Sequence, residues 1–327
     1  MIARLIFAII PAMGLGGEDD LWKRARVPAF LLILLFVFGG TLAIGAGAGN
    51  GTSSAKIGGT TDVSGLAVAE GTAKCPAKHS LLSGGMIYET GDDDGLVHRF
   101  GAPTDKTGDP FASDSGRTPK RFFASTSNEV PEDRPFRIFA VCAKADVELA
   151  TRDFEIGGLV ESKSVRCPAG RRAVGGGAFI EGGIITASGP TDETGTYLHT
   201  SSGDVPRRWF ATVRNQLGEP APARVFATCA KGSDAKLEVE LLSLPGNPGG
   251  SSVASTTACP QKKRVIGGGL LHASGESTTY NISVMGPLDS SGVTTQTKVG
   301  DTAKGWLAGL STPFSIGSNF KVIAICE

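Results

Sequence analysis

The chain has 327 residues, and its 32 basic residues balance its 32 acidic residues, so its formal net charge is zero. Near neutrality argues against nucleic acid and against any other strongly anionic partner. The chain is rich in glycine and poor in aromatic residues, a composition that covalent cross-links between its six cysteines would help to stabilise.

The first predicted element is an apolar helix over residues 27–49. The stretch from Pro28 to Ala48 is long enough to cross a bilayer, which needs about 20 residues. Basic residues stand just before it, so the positive-inside rule keeps residues 1–26 in the cytosol and places the following residues outside. The sequence therefore predicts a single-pass cell-membrane protein whose C-terminal part lies outside the cell.

A cleaved signal peptide is the alternative to this transmembrane anchor. Ala46-Gly47-Ala48 resembles a cleavage site, and cleavage there would yield a secreted protein. Residues 50–65 are rich in Gly, Ser and Thr, which predicts a flexible tether. All six cysteines follow the apolar segment, as expected for a chain that is exported to an oxidising compartment.

A cysteine-bounded unit occurs three times after the tether. Its opening cysteine is followed by proline in every copy and recurs every 92 residues, at Cys75, Cys167 and Cys259. Self-similarity at a fixed period is the signature of a repeat architecture. We therefore predict three β repeats, called here the first unit (66–144), the second unit (145–231) and the third unit (232–327).

Each unit contains the same features in the same order. Basic residues, an apolar pair and a glycine-rich run follow the opening Cys-Pro, and such a run suits a bulge or a close backbone approach. A turn of proline, aspartate and glycine comes next, and an aromatic residue follows the turn proline by 19 positions in every unit. The turn aspartates are Asp105, Asp192 and Asp289, and the aromatic residues are Phe122, Trp209 and Trp306.

Every unit ends in a predicted β-strand that stops at a closing cysteine. The three strands run from Arg137 to Cys142, from Arg224 to Cys229 and from Lys321 to Cys326. Their β-branched and aromatic residues favour a strand. Both faces of each strand carry apolar side chains, which is typical of a central strand that is covered on both sides. The sequence does not indicate what covers the second face.

These features predict an all-β fold after one N-terminal transmembrane or signal helix. The three homologous, antiparallel repeats either close into one three-sided β-prism or stand as tandem sandwich-like modules. Each repeat is expected to contain about four strands and a lead-in strand. A repeat of this length is large enough to fold alone, so both arrangements remain open.

The repeat also predicts the disulfide pairing. Six cysteines allow 15 pairings, but identical units should form identical bridges. The expected bridges are Cys75–Cys142, Cys167–Cys229 and Cys259–Cys326. Free buried thiols are the alternative. A zinc site is disfavoured because the sequence has no Cys-x-x-Cys pair and no histidine at a recurring offset.

The sequence shows no catalytic constellation, and we predict a protein that is not an enzyme and has no cofactor or metal. The histidines do not occupy equivalent places in the units; they are His79, His98, His199 and His272. Asp92-Asp93-Asp94 offers oxygen ligands of the kind that calcium prefers, but the other units lack this triplet. A solvated acidic loop is the favoured interpretation.

Two features have both a structural and a binding interpretation. Phe122, Trp209 and Trp306 are expected to anchor the core, and the alternative is that they form stacking platforms for a sugar or peptide. The basic cluster after each opening cysteine is expected to be a solvated strand end, and the alternative is a local anion contact. The clusters are Lys78-His79, Arg171-Arg172 and Lys262-Lys263-Arg264.

The order Cys-Pro, Gly-Gly-Gly, Trp or Phe, and an apolar strand ending in Cys resembles a group of exported repeat proteins from high-GC bacteria. The resemblance covers about residues 73–327. The threefold plan is also loosely similar to the vitelline-membrane outer-layer proteins, which implies a β-prism. Neither resemblance assigns a functional residue.

The sequence thus predicts a non-catalytic, exported cell-surface protein. Its expected partners are the membrane, through the N-terminal helix, and cell-wall or other glycans, but not nucleic acid. A structural envelope protein without a small ligand is the alternative.

Overall fold

The computed structural model describes residues 61–63, 68–88, 96–128, 134–247, 251–274, 280–298, 300–312, 314 and 317–327. These residues form strands, turns and loops, with single-turn 3-10 helices at Tyr197–His199 and Thr294–Gln296, so the predicted all-β class is confirmed. None of the helices in this part of the chain is long and apolar enough to cross a membrane. The predicted cytosolic segment 1–26, the apolar helix 27–49 and the aspartate triplet 92–94 lie outside the described residues.

Eighteen strands, numbered along the chain, form three six-stranded antiparallel sheets in the described residues. In spatial order, the first sheet contains β1 (Thr61–Val63), β6 (Arg134–Ala143), β3 (Ser80–Tyr88), β16 (Asn281–Leu288), β17 (Gly305–Thr312) and β14 (Ser251–Ala258). The second contains β2 (Val68–Lys74), β5 (Arg121–Asn128), β4 (Leu96–Thr104), β9 (Arg171–Ile180), β12 (Ala221–Lys231) and β7 (Val147–Ile156). The third contains β13 (Lys236–Leu244), β18 (Ser318–Cys326), β15 (Val265–His272), β10 (Gly183–Thr191), β11 (Arg208–Asn215) and β8 (Val160–Arg166).

Each sheet combines three strands from one part of the chain with three from another. The first sheet joins the first and third units, the second sheet joins the first and second, and the third sheet joins the second and third. One residue pair connects the two halves of each sheet. These pairs are Met86 with Met285, Gly101 with Ala178, and Ser188 with Leu270. Because every sheet crosses a unit boundary, the alternative of tandem sandwich-like modules is wrong.

The strand count differs from the prediction at the start of the first unit. Thr61–Val63 falls within the predicted tether, yet it forms β1 and pairs with β6, where Thr61 lies opposite Phe136. A short polar sequence has no strand pattern of its own, but the edge of a sheet offers unpaired backbone groups that can hold it. With β1 included, each unit has six strands, the last of which contains the closing cysteine, and this is one strand more than the sequence indicated.

The glycine-rich runs allow two kinds of close approach, as the sequence predicted. A Cβ at Gly176 would overlap the Trp209 ring, and a Cβ at Gly177 would overlap the carbonyl oxygen of Gly101 in the neighbouring half-sheet. Each run also contains or adjoins a β-bulge against its closing strand. Just before the runs, Leu82, Val174 and Ile266 are fully buried in one shared cluster. The three sheets therefore surround a common core.

The predicted disulfide pairing is confirmed. Cys75 bonds to Cys142, Cys167 to Cys229 and Cys259 to Cys326. The bridges span 67, 62 and 67 residues along the sequence. In the chain-entropy account, a loop of this length restricts the unfolded state and contributes about 4 kcal/mol of stability.

The closing strands lie inside their sheets, and the structure shows what covers their second face. Arg224, Phe226 and Thr228 alternate onto the outer face of β12, and Phe226 has no exposed surface. The Arg224 guanidinium lies 6.0 Å from the centre of the Phe226 ring. It donates hydrogen bonds to the carbonyl oxygens of Phe111 (2.9 Å) and Pro110 (3.2 Å). The loop that follows the turn of the first unit therefore covers the closing strand of the second.

The corresponding residue of the third unit makes the same kind of contact. The Lys321 ammonium is buried and donates to the carbonyl oxygens of Leu198 (2.7 Å), Thr200 (2.8 Å) and Tyr197 (3.2 Å) in the second unit. Burial lowers the pKa of this ammonium. In the first unit, Arg137 donates to the Thr297 carbonyl of the third unit at 3.0 Å. Each closing strand thus uses one cation to hold a loop of another unit.

Candidate functional site

The three repeated aromatic residues lie in the core. Phe122 and Trp209 are each 1% exposed and Trp306 is 0% exposed. The Trp209 indole Nε1 donates a hydrogen bond to Ser188 Oγ at 2.9 Å. These rings offer no open face on which a sugar could stack. Their burial therefore supports the core interpretation and does not support the interpretation as stacking platforms.

A basic pocket of about 300 Å³ lies at the opening of the first unit. Its size is at the small end of the range for ligand pockets. Six of its nine lining residues carry basic side chains; the lining residues are Lys74, Cys75, Pro76, Ala77, Lys78, His79, Lys106, Lys120 and Arg121. Of these basic residues, only Lys78 and His79 belong to the cluster that the sequence singled out.

Local backbone geometry brings three separate segments to this pocket. The amide of Cys75 donates to the Lys120 carbonyl at 2.9 Å, which ties the opening cysteine to the start of β5. The amide of His79 donates to the Pro76 carbonyl at 3.1 Å, and Lys78 within this turn has a positive φ of 65°. Such a φ costs a residue with a Cβ some energy, and the Lys78 side chain in this turn is exposed.

The turn at Asp105 brings the third segment. Thr107 donates its amide to Asp105 Oδ1 at 2.7 Å, which is the aspartate turn that the sequence predicted and which leaves Lys106 exposed at its tip. Burial opposes ionisation of Asp105, but the hydrogen bonds from Thr107 and the charges of Arg117 and Lys106 hold the pKa of its carboxyl below the usual value. Asp105 is therefore ionised and buried, and its carboxylate accepts hydrogen bonds within its own turn.

The basic side chains of the pocket differ in what they can offer a ligand. Lys120 is half-buried, and its Nζ donates to the His79 carbonyl at 2.8 Å, so Lys120 supports the opening turn. Lys74, Lys78 and Lys106 are exposed. The Nε of Arg121 is buried and has no hydrogen-bond partner within the described chain. None of the pocket cations forms an ion pair with a carboxylate of the described residues.

Carboxylates pair with two arginines at the corresponding surface of the second unit. Arg171 stands in place of His79, and carboxylates of Asp146 (3.1 Å) and Glu148 (3.0 Å) pair with it. Arg166 stands in place of Lys74 and pairs with Glu193, which replaces Lys106. A cationic framework is therefore present here as well; carboxylates pair with Arg166 and Arg171, whereas Arg207 and Arg208 donate to carbonyl oxygens.

The corresponding surface of the third unit has fewer cations. Ala258, Ser290 and Gly305 occupy the positions of Lys74, Lys106 and Arg121. Lys263 takes the place of His79, and its Nζ lies 3.8 Å from Asp234. Lys262 and Lys304 keep the charges of Lys78 and Lys120, so among the described residues the first unit has the largest group of cations at this surface that form no ion pair.

Sequence reasoning missed four of the pocket residues, namely Lys74, Lys106, Lys120 and Arg121. The signal was nevertheless present in the repeat. Each of these residues stands at a fixed offset from the opening cysteine, the turn proline or the repeated aromatic residue, and a comparison of charge at those offsets separates the first unit from the other two. Total charge hides this difference because it sums over the whole chain.

The histidines do not come together in the structure. His98 and His272 are completely buried in different places, and burial lowers the pKa of each to about 4. His79 lines the basic pocket, and His199 ends a 3-10 helix. The described residues contain no group of three or more His, Cys, Asp or Glu side chains that could hold a metal ion.

Comparison with protein-family models found no match to this chain, and comparison with curated proteins found none either.

Proposed function

We propose that this chain is an exported, non-catalytic cell-surface protein that binds anionic glycans through the pocket of the first unit. One observation carries the proposal: cations from three segments surround a cavity of about 300 Å³, and none of them forms an ion pair with a described carboxylate. Charges of like sign repel one another, so a cluster of this kind favours an anion between them. This interpretation replaces the solvated strand end for the first unit only.

The size and exposure of the pocket favour one class of ligand. A cavity at the small end of the usual range suits a single sugar ring that carries a carboxylate, phosphate or sulfate group. The lysines are exposed, so each contact is weak and is screened by salt. A polymer with repeated acidic groups would gain from local rebinding, whereas a duplex nucleic acid would need a longer basic surface than a single pocket in a neutral chain.

The disulfide bonds support the exported location in this proposal. Three disulfides are typical of proteins that function outside the reducing cytosol. On this proposal, residues 27–49 anchor the chain in the cell membrane or direct its secretion. The three units are then homologous repeats, as in the exported bacterial repeat proteins that the sequence resembles, and they form a β-prism like that of the vitelline-membrane outer-layer proteins.

The test is a binding assay with the purified full chain, with its disulfides intact. We expect saturable binding to acidic polysaccharides, weakening at high salt, and no binding to their neutral counterparts. The double variant Lys74→Gln/Lys106→Gln should lose this binding. The matched control Lys236→Gln/Lys298→Gln removes two exposed lysines outside the pocket and should retain it. Equal binding by both double variants would refute the pocket as the site.

A structural role in the envelope is the second candidate. The loops that each closing strand holds from another unit, together with three disulfides, form an interlocked and cross-linked fold. Deletion of the protein should then weaken the envelope. Expression of the Lys74→Gln/Lys106→Gln variant in the deletion strain should restore the strength of the envelope fully. If that variant fails to restore it, the pocket itself is required and the structural candidate is wrong.

A further inference from the structure

The opening of the second unit repeats the backbone framework of the basic pocket. The Cys167 amide donates to the Arg207 carbonyl at 2.9 Å, as the Cys75 amide does to Lys120. The Arg171 amide donates to the Pro168 carbonyl at 3.1 Å, as the His79 amide does to Pro76. Gly170 has a φ of 78° at the position of Lys78. The two surfaces therefore share their turn geometry.

The side chains that support this framework also correspond. Arg207 Nη1 donates to the Arg171 carbonyl at 2.9 Å, the same contact that Lys120 makes with His79. Thr194 donates its amide to Asp192 Oδ1 at 2.8 Å, the same turn as at Asp105. The turn tip, occupied by Lys106 in the first unit, is Glu193 in the second.

Glu193 places an anion on the cations of its own unit. Its carboxylate pairs with Arg166, and its carbonyl oxygen accepts a hydrogen bond from Arg208 Nε at 3.0 Å. Arg166 and Arg208 stand in place of Lys74 and Arg121, which line the pocket of the first unit. The Glu193 carboxylate thus lies where the proposed function would put the acidic group of a ligand.

We propose that the second unit contains a latent site for the same class of ligand, an acidic sugar group, which Glu193 keeps occupied from within. The inference rests on the proposed function of the first unit. The side chains of Arg166 and Glu193 are 57% and 55% exposed, and an exposed ion pair is weak. Replacement of this carboxylate therefore frees Arg166, and Glu193→Lys gives the turn tip the charge that Lys106 has in the first unit, while Arg171 keeps its pairs with Asp146 and Glu148.

The experiment measures the number of binding sites by titration calorimetry of the full chain with a sulfated glucose oligomer. The unsulfated oligomer is the neutral probe. We expect one site in the unaltered chain, two in Glu193→Lys, and none in Lys74→Gln/Lys106→Gln. The triple variant Lys74→Gln/Lys106→Gln/Glu193→Lys should regain one site, which then lies in the second unit. Glu193→Gln should also regain a site in that background, with weaker affinity.

Glu181→Lys is the matched control, because it makes the same change of charge at an exposed turn between β9 and β10, at the opposite end of these strands. It should add no site. If the unaltered chain binds one equivalent and Glu193→Lys adds none, the latent site is refuted while the proposed function stands. If Glu181→Lys adds as much binding as Glu193→Lys, total charge explains the gain and the inference fails. If the unaltered chain and the triple variant both bind nothing, the proposed function and the inference fail together.

Discussion

The first and second units have the same turns, equivalent disulfides and an aromatic anchor at the same position, yet their openings differ in how far carboxylates pair with the cations. In the first unit, Lys74 and Lys106 line a cavity, and neither forms an ion pair with a described carboxylate. In the second, Arg166 and Glu193 satisfy each other. The comparison teaches that burial and backbone hydrogen bonds determine the framework, while a few exposed charges determine what the framework binds. Changes to the shared framework should therefore have the largest effects on stability, and changes to the differing charges the smallest.

The largest effect is expected from Trp209→Ala, which removes the aromatic anchor of the second unit. Truncation of a fully buried tryptophan leaves a cavity and typically lowers the free energy of unfolding by about 3–5 kcal/mol. Denaturant unfolding with intact disulfides measures this loss. Leu241→Ala, at a side chain that is 68% exposed, is the control and should change stability little. A similarly small effect of both variants would contradict the core role of Trp209.

The next effect concerns pH, because the first unit has a buried histidine where the second has an isoleucine. His98 precedes its turn proline by the same five positions as Ile185. Burial lowers the pKa of His98 to about 4, against about 6.5 in the unfolded chain. As pH falls from about 6.5 to 4, His98 becomes protonated in the unfolded chain but stays largely neutral in the folded chain. The free energy of unfolding should therefore fall by about 3 kcal/mol from this residue.

The matched variant for this effect is His98→Ile. It should remove the contribution of His98, whereas the similar contribution of His272, whose pKa burial also lowers to about 4, should remain. Chemical unfolding at pH 7 and pH 4 gives the two free energies for each protein. An identical decline with pH in the variant and the unaltered chain would contradict a lowered pKa of His98 in the folded state.

A smaller effect is expected from Ser188→Ala. This change leaves the Trp209 Nε1 without its acceptor, and an unsatisfied buried donor typically costs about 1–3 kcal/mol. The second unit would then resemble the third, where Met285 stands at the position of Ser188 and the Trp306 Nε1 has no partner among the described residues. Unfolding measures the cost, and a shift of the Trp209 indole N–H resonance identifies its origin. An unchanged resonance would contradict the assigned hydrogen bond.

The smallest effect on the fold, and the most specific effect on binding, is expected from Lys106→Glu. This change gives the first unit the turn-tip residue of the second. The side chain is exposed, so stability should change by less than about 0.5 kcal/mol. Loss of one favourable contact and gain of an unfavourable one, each worth up to about 1 kcal/mol, should weaken binding of an acidic oligosaccharide about tenfold. Unchanged affinity in low salt would show that Lys106 does not contact the ligand.

Local sequence patterns were sufficient to predict the all-β class, the disulfide pairs and the central position of the closing strands. Each of these depends on short-range regularity: β-branched strands, turn residues at fixed offsets and cysteines at fixed spacing. The buried state of Phe122, Trp209 and Trp306 also agrees with the favoured interpretation, because a fixed offset to a closing cysteine keeps an aromatic residue in register with its strand.

Other features were decided only by the tertiary structure. The exchange of strands between units could not be predicted, because a β-strand has unpaired backbone groups along both edges and its sequence does not name its partner. The contact of Arg224 with the loop at Phe111 joins residues that are more than a hundred positions apart. The sequence showed a basic residue at the start of every closing strand, but no local rule predicts which loop that residue contacts.

The sequence by itself determined the repeated framework, since its spacing sets which strands, turns and cysteines recur. The tertiary structure alone decided which charges meet. Lys74, Lys106 and Arg121 come from three separate segments, and only the packed fold gathers them around one cavity. The physical reason is that strand propensity acts between neighbours in sequence, whereas electrostatic interactions depend on distance in space and on the counter-charges that folding brings close.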